Sequence, residues 1–284
     1  MIVVGNLGVG GTGKTPLTIH LAQALRARGR RPGIVSRGYR GRVEATLEVD
    51  PGADPAQVGD EPVLLARRAG CPVVVGRDRV AAARHLLAAH PDCDLLLCDD
   101  GLQHYRLRRD VEIALFDERG AMNGWCLPAG PLREPLARLR EVDAVVLNGT
   151  VAEPPAAGGR PVFAMHLRAD GFTALDGTQE PRPAAAFAGQ VLHAVAGIGA
   201  PARFFAQLAG MGLAFEAHAF PDHHDYRAGD LAFTGDAILT TEKDAVKLAR
   251  LSLPLPVWVL PVTADASPDI AAFVLEKLDG RPPA

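Results

Sequence analysis

Eight residues near the start of the chain, Gly8-Val9-Gly10-Gly11-Thr12-Gly13-Lys14-Thr15, satisfy the pattern G-x-x-x-x-G-K-[ST]. Each residue type has a physical reason to stand there. Glycines let successive backbone N–H groups wrap phosphate oxygens, and a helix starting where the loop ends adds its positive dipole end. The lysine reaches the β- and γ-phosphates, and the threonine hydroxyl is a Mg2+ ligand. All eight residues are therefore candidates for binding a nucleoside triphosphate, and Thr15 also for the metal. Of 30 basic residues only Lys14, Lys243, Lys247 and Lys277 are lysine, so a lysine at this position carries extra weight.

A site for Mg2+ also needs a carboxylate at the end of a neighbouring strand. The apolar run Asp94–Asp100 ends in Asp99 and Asp100, which become the candidate metal ligands. Guanine recognition has no support, because Asn148-Gly149-Thr150 lacks the required lysine and Thr241-Glu242-Lys243-Asp244 has it one place late. Two other readings of the loop are weaker. Gly8-x-Gly10-x-x-Gly13 also spells a dinucleotide fingerprint, and Arg37 at the end of the second strand would suit NADP, but that reading leaves Lys14-Thr15 unexplained. An ATP-switched binding protein of the partitioning type would want lysine where Val9 stands.

Other segments add polar chemistry. Ser36-Arg37-Gly38-Tyr39-Arg40-Gly41-Arg42 is a cationic loop beside the expected nucleotide crevice, suited to a phosphorylated, partly apolar ligand or simply solvated. Gly59-Asp60-Glu61-Pro62 opens a helix, so Asp60 is either a cap or a functional acid. Asp222-His223-His224-Asp225 gathers imidazoles and carboxylates in a loop, and reads as a polar turn or as a metal cluster short of a spaced ligand.

The elements that must position these residues alternate strand and helix, the pattern of a parallel sheet covered on both faces. Strands are expected at Met1–Gly5, Gly33–Ser36, Pro72–Gly76, Asp94–Asp99, Glu112–Asp117 and Ala144–Asn148. Helices are expected at Pro16–Arg28, Glu61–Ala69 and Arg79–Ala89, with a shorter one over Glu134–Glu141. The Pro-, Ala- and Gly-rich stretch 153–160 reads as a linker between a lobe at 1–152 and a smaller lobe at 161–284. In the latter, strands are expected at Val162–Leu167, Val191–Ala196, Ala237–Thr240 and Val257–Pro261, with helices at Ala202–Ala209 and Ala245–Leu251.

Composition excludes several classes. With 48% apolar residues in 284, the chain can bury a large core. A formal charge of −3 argues against a general nucleic-acid binder. No stretch approaches the ~20 apolar residues of a membrane-spanning helix, and Met1 runs directly into Ile2-Val3-Val4-Gly5 without a secretion signal. A soluble cytoplasmic protein with reduced, mostly buried cysteines (Cys71, Cys93, Cys98, Cys126) is expected.

The combination of motifs resembles the tetraacyldisaccharide 4′-kinase family, the lipid A 4′-kinases of Gram-negative bacteria. The resemblance rests on Val9–Pro16, Ser36–Tyr39, Gly59–Pro62, Asp99–His104, Pro128–Pro135, Phe220–His224 and Thr241–Asp244, in family order over most of the chain. It implies an α/β fold: a phosphate-loop NTPase lobe with a mostly parallel, doubly wound sheet, plus a smaller C-terminal α/β lobe. It also implies ATP-dependent phosphorylation, with Mg2+, of the 4′-hydroxyl of a tetraacyldisaccharide 1-phosphate, a lipid A precursor. That reaction would place the protein peripherally at the cytoplasmic face of the inner membrane, and no protein partner is inferred. By position, Asp60 resembles the family's catalytic Asp and His223 the histidine paired with it, with His224 the neighbouring alternative. Asp99 and Asp100 resemble the magnesium-organising carboxylates, and Arg37, Tyr39, Arg133 and Glu134 match substrate-binding positions. The family carries an N-terminal membrane-associated segment ahead of the first strand, which this sequence does not include; the start was taken late, the chain was trimmed, or the protein docks by other surfaces, for which Phe204-Phe205 and Trp125 are the candidate contacts.

Overall fold

Ile2, Val3 and Val4 form an apolar run whose side chains alternate between two covered faces, and all are fully buried in strand β1 (Ile2–Gly5). Helix α1 (Lys14–Ala27) follows the glycine loop. It has Pro16 in its first turn, buries Leu17, Leu21 and Leu25, and stops before Gly29. The structure, a computed structural model, describes residues 1–280.

The chain continues through β2 (Pro32–Ser36), β3 (Leu47–Glu48), α2 (Pro55–Val58), α3 (Asp60–Arg68), β4 (Val73–Val75) and α4 (Arg79–Ala89). Strands β5 (Leu95–Asp99), β6 (Val111–Asp117), β7 (Ala144–Asn148) and β8 (Val162–Arg168) complete the first pass. A second unit holds β9 (Thr173–Ala174), β10 (Leu192–Ala196), α5 (Pro201–Gly210), β11 (Glu216–Ala219), β12 (Ala237–Thr241), α6 (Glu242–Leu248) and β13 (Val257–Leu260). The chain then returns to the first unit with β14 (Thr263–Ser267) and α7 (Ile270–Asp279).

The first unit comprises 1–167 and the C-terminal return from 264. Its nine-stranded sheet has the order β14-β8-β7-β6-β1-β5-β2-β4-β3. Pairing is parallel from β8 across to β4, and β3 joins antiparallel. Strands β5 and β6 are buried along their whole length, so apolar side chains fill both faces. The second unit, 168–263, has its own sheet in the order β11-β10-β12-β13-β9 and its own core around Phe187, Leu208 and Trp258.

The expected boundary at 153–160 falls too early. Val162–Arg168 pairs in parallel with β7, and the C-terminal strand and helix belong to the first unit. The composition of a connection does not reveal that the next strand still belongs to the same sheet. The expected helix over Glu134–Glu141 is a 3-10 turn, Leu136–Arg140, that starts after Pro135. The cysteines are free, but only Cys98 is buried; the other three are half-buried.

Candidate active site

The phosphate loop joins the buried end of β1 to α1, so backbone N–H groups at the helix start face the space beyond the sheet. Gly13 has φ 99°, and a Cβ there would meet Asn148 Nδ2 at 2.6 Å. That side chain, at the end of β7, donates to the Thr12 carbonyl at 2.9 Å and fixes the loop from below. Arg119 grips Asp117 at the end of β6, with Nε 3.0 Å from both carboxylate oxygens, and reaches the Gly11 carbonyl at 3.4 Å. Thr12 Oγ1 is buried without a hydrogen-bond partner among the described residues, an orphan that a bound oxyanion would satisfy.

Lys14 Nζ donates to Asn6 Oδ1 at 3.0 Å and lies 3.6 Å from Asp100 Oδ1. Strand β5 therefore delivers its two terminal acids to the lysine's side of the loop. Asp99 is 1% exposed and accepts from Thr18 Oγ1 at 3.2 Å. Burial, with Glu61 and Asp100 nearby, pushes its carboxyl up to about 7, despite Lys14 and Thr18. Asp100, the next residue, has φ 52°. Burial raises its proton affinity, but Lys14 and Arg133 outweigh that and hold it below the usual carboxylate range. Arg133 Nη1 sits 2.9 and 3.1 Å from its two oxygens. The two adjacent acids are thus electrostatically opposite: one is paired with cations, while the other lies among acids.

Glu134, next to Arg133, has both oxygens engaged within the protein. One accepts from Gln103 at 2.6 Å; the other accepts from the Tyr105 hydroxyl and lies 3.5 Å from Arg138 Nε. Gln103 in turn donates to the Asn6 carbonyl at 3.2 Å, so Glu134 braces the floor beneath Lys14.

The cationic loop after β2 and the turn before Asp60 pack together. Gly59 has φ 92°, and a Cβ there would lie 2.7 Å from the Tyr39 carbonyl oxygen. Any side chain at 59 would push the two segments apart. Asp60 is the first residue of α3 and 5% exposed; its Oδ1 accepts from the Glu61 N–H at 3.0 Å. Glycine occupies the cap, and Asp60 takes one of the open N–H groups from within the first turn. Tyr39 stays 51% exposed with the Arg40 guanidinium beside its ring, and Arg37 is exposed.

Sequence reading missed Arg79, at the start of α4. The residue is 3% exposed and its guanidinium donates to the Gly76 carbonyl at 2.8 Å, while Nε has no hydrogen-bond partner among the described residues. Burial lowers its pKa, and Cys98, Arg37, Asp100 and Asp99 are its charged or titratable neighbours. The signal was present: Gly76-Arg77-Asp78-Arg79 closes the apolar strand β4, where ligand-facing residues of parallel sheets gather.

In the second unit, the loop after β11 separates the two adjacent histidines. His224 Nε2 is 3.2 Å from Asp230, and its ring packs on Phe220 and Tyr226. His223 has φ 61°, and its Nε2 accepts from Lys243 Nζ at 3.2 Å, so the ring's own hydrogen is on Nδ1. Lys243 also reaches Asp222 at 3.2 Å. Within Thr241-Glu242-Lys243-Asp244, Thr241 caps α6 by accepting from the Asp244 N–H at 3.2 Å. Of the expected membrane contacts, Phe204 is buried and Phe205 packs against the core of the second unit, because α5 turns that face inward. Trp125 is 66% exposed, with Leu127 and Met122 also exposed.

The comparisons with known proteins agree with one another. A family model described as tetraacyldisaccharide-1-P 4′-kinase (LpxK) matches residues 1–279. A tetraacyldisaccharide 4′-kinase of Chromobacterium violaceum is 55% identical over 284 residues, covering 98% of this chain and 84% of that protein. One from Dechloromonas aromatica is 53% identical, with 99% and 84% covered. The crystal structure of an "apo" form LpxK from Aquifex aeolicus in complex with ATP superposes with a TM-score of 0.80 at 32% identity, covering 97% of this chain and 87% of that one.

Proposed function

The chain belongs to the tetraacyldisaccharide-1-phosphate 4′-kinase family, and from that premise we propose how its own residues carry out the reaction. The enzyme transfers the γ-phosphoryl group of ATP to the 4′-hydroxyl of a tetraacyldisaccharide 1-phosphate in lipid A biosynthesis. The observation that carries the assignment of roles is Lys14, held by Asn6 and Asp100 at the mouth of the glycine loop beside the buried Asp99.

Backbone N–H groups of Gly8–Thr15 bind the triphosphate, and Lys14 spans its β- and γ-phosphates. Asp60 accepts the proton of the 4′-hydroxyl as that oxygen attacks the γ-phosphorus; the bond to the β-phosphate oxygen breaks, and ADP leaves. His223 is the second member of the catalytic pair. His224, whose ring is held by Asp230 and two aromatic rings, is the neighbouring alternative. Arg133 offers its guanidinium to phosphate, with Glu134 acting through Gln103 and Tyr105 to keep the site floor in place. Arg37 and Tyr39 bind the phosphorylated sugar from the loop packed against Gly59. The hydroxyl of Thr15 and the carboxylates of Asp99 and Asp100 are an all-oxygen set of the kind Mg2+ selects. Asp99, with acids around it, gains most from a cation. Mg2+, when bound, neutralises charge on the transferred phosphoryl oxygens.

The protein works peripherally on the membrane that holds its lipid substrate. No helix among the described residues is long and apolar enough to cross a membrane. The exposed Trp125 and Leu127 lie on a loop hydrogen-bonded to Leu132, and the adjacent Pro131 carbonyl accepts from the Val9 N–H at 2.9 Å. An apolar surface is thereby tied directly to the phosphate loop.

Incubation with ATP, Mg2+ and tetraacyldisaccharide 1-phosphate is expected to give the 4′-phosphorylated product, with none above background for Lys14→Ala. Asp60→Ala is expected to lower kcat by roughly 100- to 10,000-fold with ATP affinity kept; equal loss of ATP binding would remove its role as base. A double-mutant cycle of Asp60→Ala with His223→Ala tests the pair: additive losses would mean that the two act separately.

A further inference from the structure

Outside the nucleotide site, one cluster of the second unit has the chemistry of a metal centre. In the parallel pair β10–β11, His193 is in register with Glu216, and His218 follows two residues later on the same face. His193 Nδ1 lies 3.0 Å from His218 Nε2 and 3.6 Å from Glu216 Oε2; His218 Nε2 is 3.9 Å from Glu216 Oε1. A tetrahedral ion with metal–nitrogen bonds of about 2.0–2.1 Å holds its ligand atoms about 3.3 Å apart, so the three side chains need only small adjustments. Among the described residues, this is the one group of three such side chains with its ligand atoms gathered closely enough.

A supporting shell is present as well. His193 is 5% exposed, and its Nε2 is 3.2 Å from the Thr234 carbonyl oxygen. A carbonyl can only accept, so Nε2 carries the hydrogen and Nδ1 presents a lone pair; this is the orientation that ligating histidines take from a backbone acceptor. Phe233 stacks on both imidazoles, at 4.5 and 4.1 Å between centroids, and forms an apolar wall. Glu216 is 70% exposed and leaves the opposite side open to solvent.

We propose that His193, His218 and Glu216 bind a divalent ion of the zinc type, with water completing four-coordination. Without the ion, His218 Nε2 donates its hydrogen to His193 Nδ1; on binding, that hydrogen moves to His218 Nδ1 and Nε2 turns to the ion, a tautomeric change without net proton release. The ion clamps the edge strand β11 to β10. The segment beyond β11 continues that pairing, with Phe220 N donating to Ala196 O at 2.8 Å and His223 N to Gly197 O at 2.9 Å. The clamp therefore steadies the backbone that carries His223.

The test uses the whole protein with excess Mg2+ present. Zinc uptake is measured by equilibrium dialysis and cobalt substitution by visible absorption, for wild type, Glu216→Gln and His218→Gln. Wild type is expected to take up one equivalent of zinc, to show the intense bands of four-coordinate cobalt, and to melt at a higher temperature with zinc. Glu216→Gln, an exposed change that leaves the fold intact, is expected to weaken zinc binding about tenfold or more, and His218→Gln to remove both the bands and the thermal shift. Equal zinc affinity in wild type and Glu216→Gln, or no four-coordinate cobalt spectrum in wild type, would reduce the cluster to a hydrogen-bonded imidazole pair. Kinase turnover is not the readout, so the result is independent of the roles assigned to Lys14 and Asp60.

Discussion

Two buried aspartates close strands or open helices at the carboxyl ends of parallel sheets, and their surroundings differ completely. Asp99, at the end of β5, is 1% exposed; it has the Thr18 hydroxyl as donor at 3.2 Å and acids as neighbours. Asp244, in the first turn of α6, is fully buried. It accepts from the Gly197 N–H at 3.0 Å, the Tyr226 hydroxyl at 3.0 Å and the Thr241 hydroxyl at 2.7 Å, with Lys247 at 3.4 Å. Burial alone therefore does not mark a functional acid. Asp244 is satisfied by the fold and holds the second unit together, whereas Asp99 is kept at a cost that the proposed cation would relieve.

The contrast can be broken at either residue. Asp99→Asn is expected to lower kcat/KM about 1,000-fold while the ligand-free protein melts no earlier than wild type at pH 8, because the proposed metal ligand is lost but a buried charge is removed. A clear loss of stability, measured by denaturant titration, would make Asp99 a second Asp244. The reciprocal change, Asp244→Ala, is expected to destabilise by about 3 kcal/mol. Any fall in activity should follow the unfolded fraction, which thermal melts and activity assays on the same sample compare.

Titration sharpens the same distinction. Asp99 has a folded-state pKa raised from 3.8 to about 7, so the folded protein binds the extra proton and is favoured at low pH. As pH rises from the unfolded value towards 7, this residue alone costs about 1 kcal/mol of stability per pH unit, which is absent in Asp99→Asn. Asp100, held below the usual range by Lys14 and Arg133, works in the opposite direction and loses its contribution as pH falls through its lowered value. Subtracting the pH–stability profile of Asp99→Asn from that of wild type isolates the first effect; parallel profiles would remove it. The smallest expected change is Tyr226→Phe. It takes one of several donors from Asp244, costs about 1 kcal/mol in denaturant titration, and leaves kcat unaltered.

Much of the first unit was legible because its signals are local. The glycine loop, the apolar runs ending at Gly5 and Asp99, and the leucine spacing of α1 depend on neighbours within a dozen residues. Strand β11 was missed because it is an edge strand, Glu-Ala-His-Ala, largely exposed and without an apolar alternation to read. The return of β14 and α7 was missed for a different reason. Their pairing with the first unit depends on residues some hundred positions away, and no local pattern reports it. Arg79 stayed hidden among 26 arginines until its burial beside Asp99 and Asp100 set it apart.

By itself the sequence determined the phosphate chemistry, because wrapping a phosphate requires a fixed order of glycines, a lysine and a hydroxyl within one short loop. It also determined the alternation that makes a parallel sheet, since covered strands must be apolar on both faces. Tertiary structure decided what each remaining acid and imidazole is for. Thr241–Asp244 is one of the motifs that carry the family resemblance, yet its aspartate is saturated by donors from three separate segments. His193, Glu216 and His218 carry no motif and meet only when two strands pair in register. The fold alone sets the distances between side chains far apart in sequence, and those distances decide whether a polar group is satisfied or left to meet a ligand.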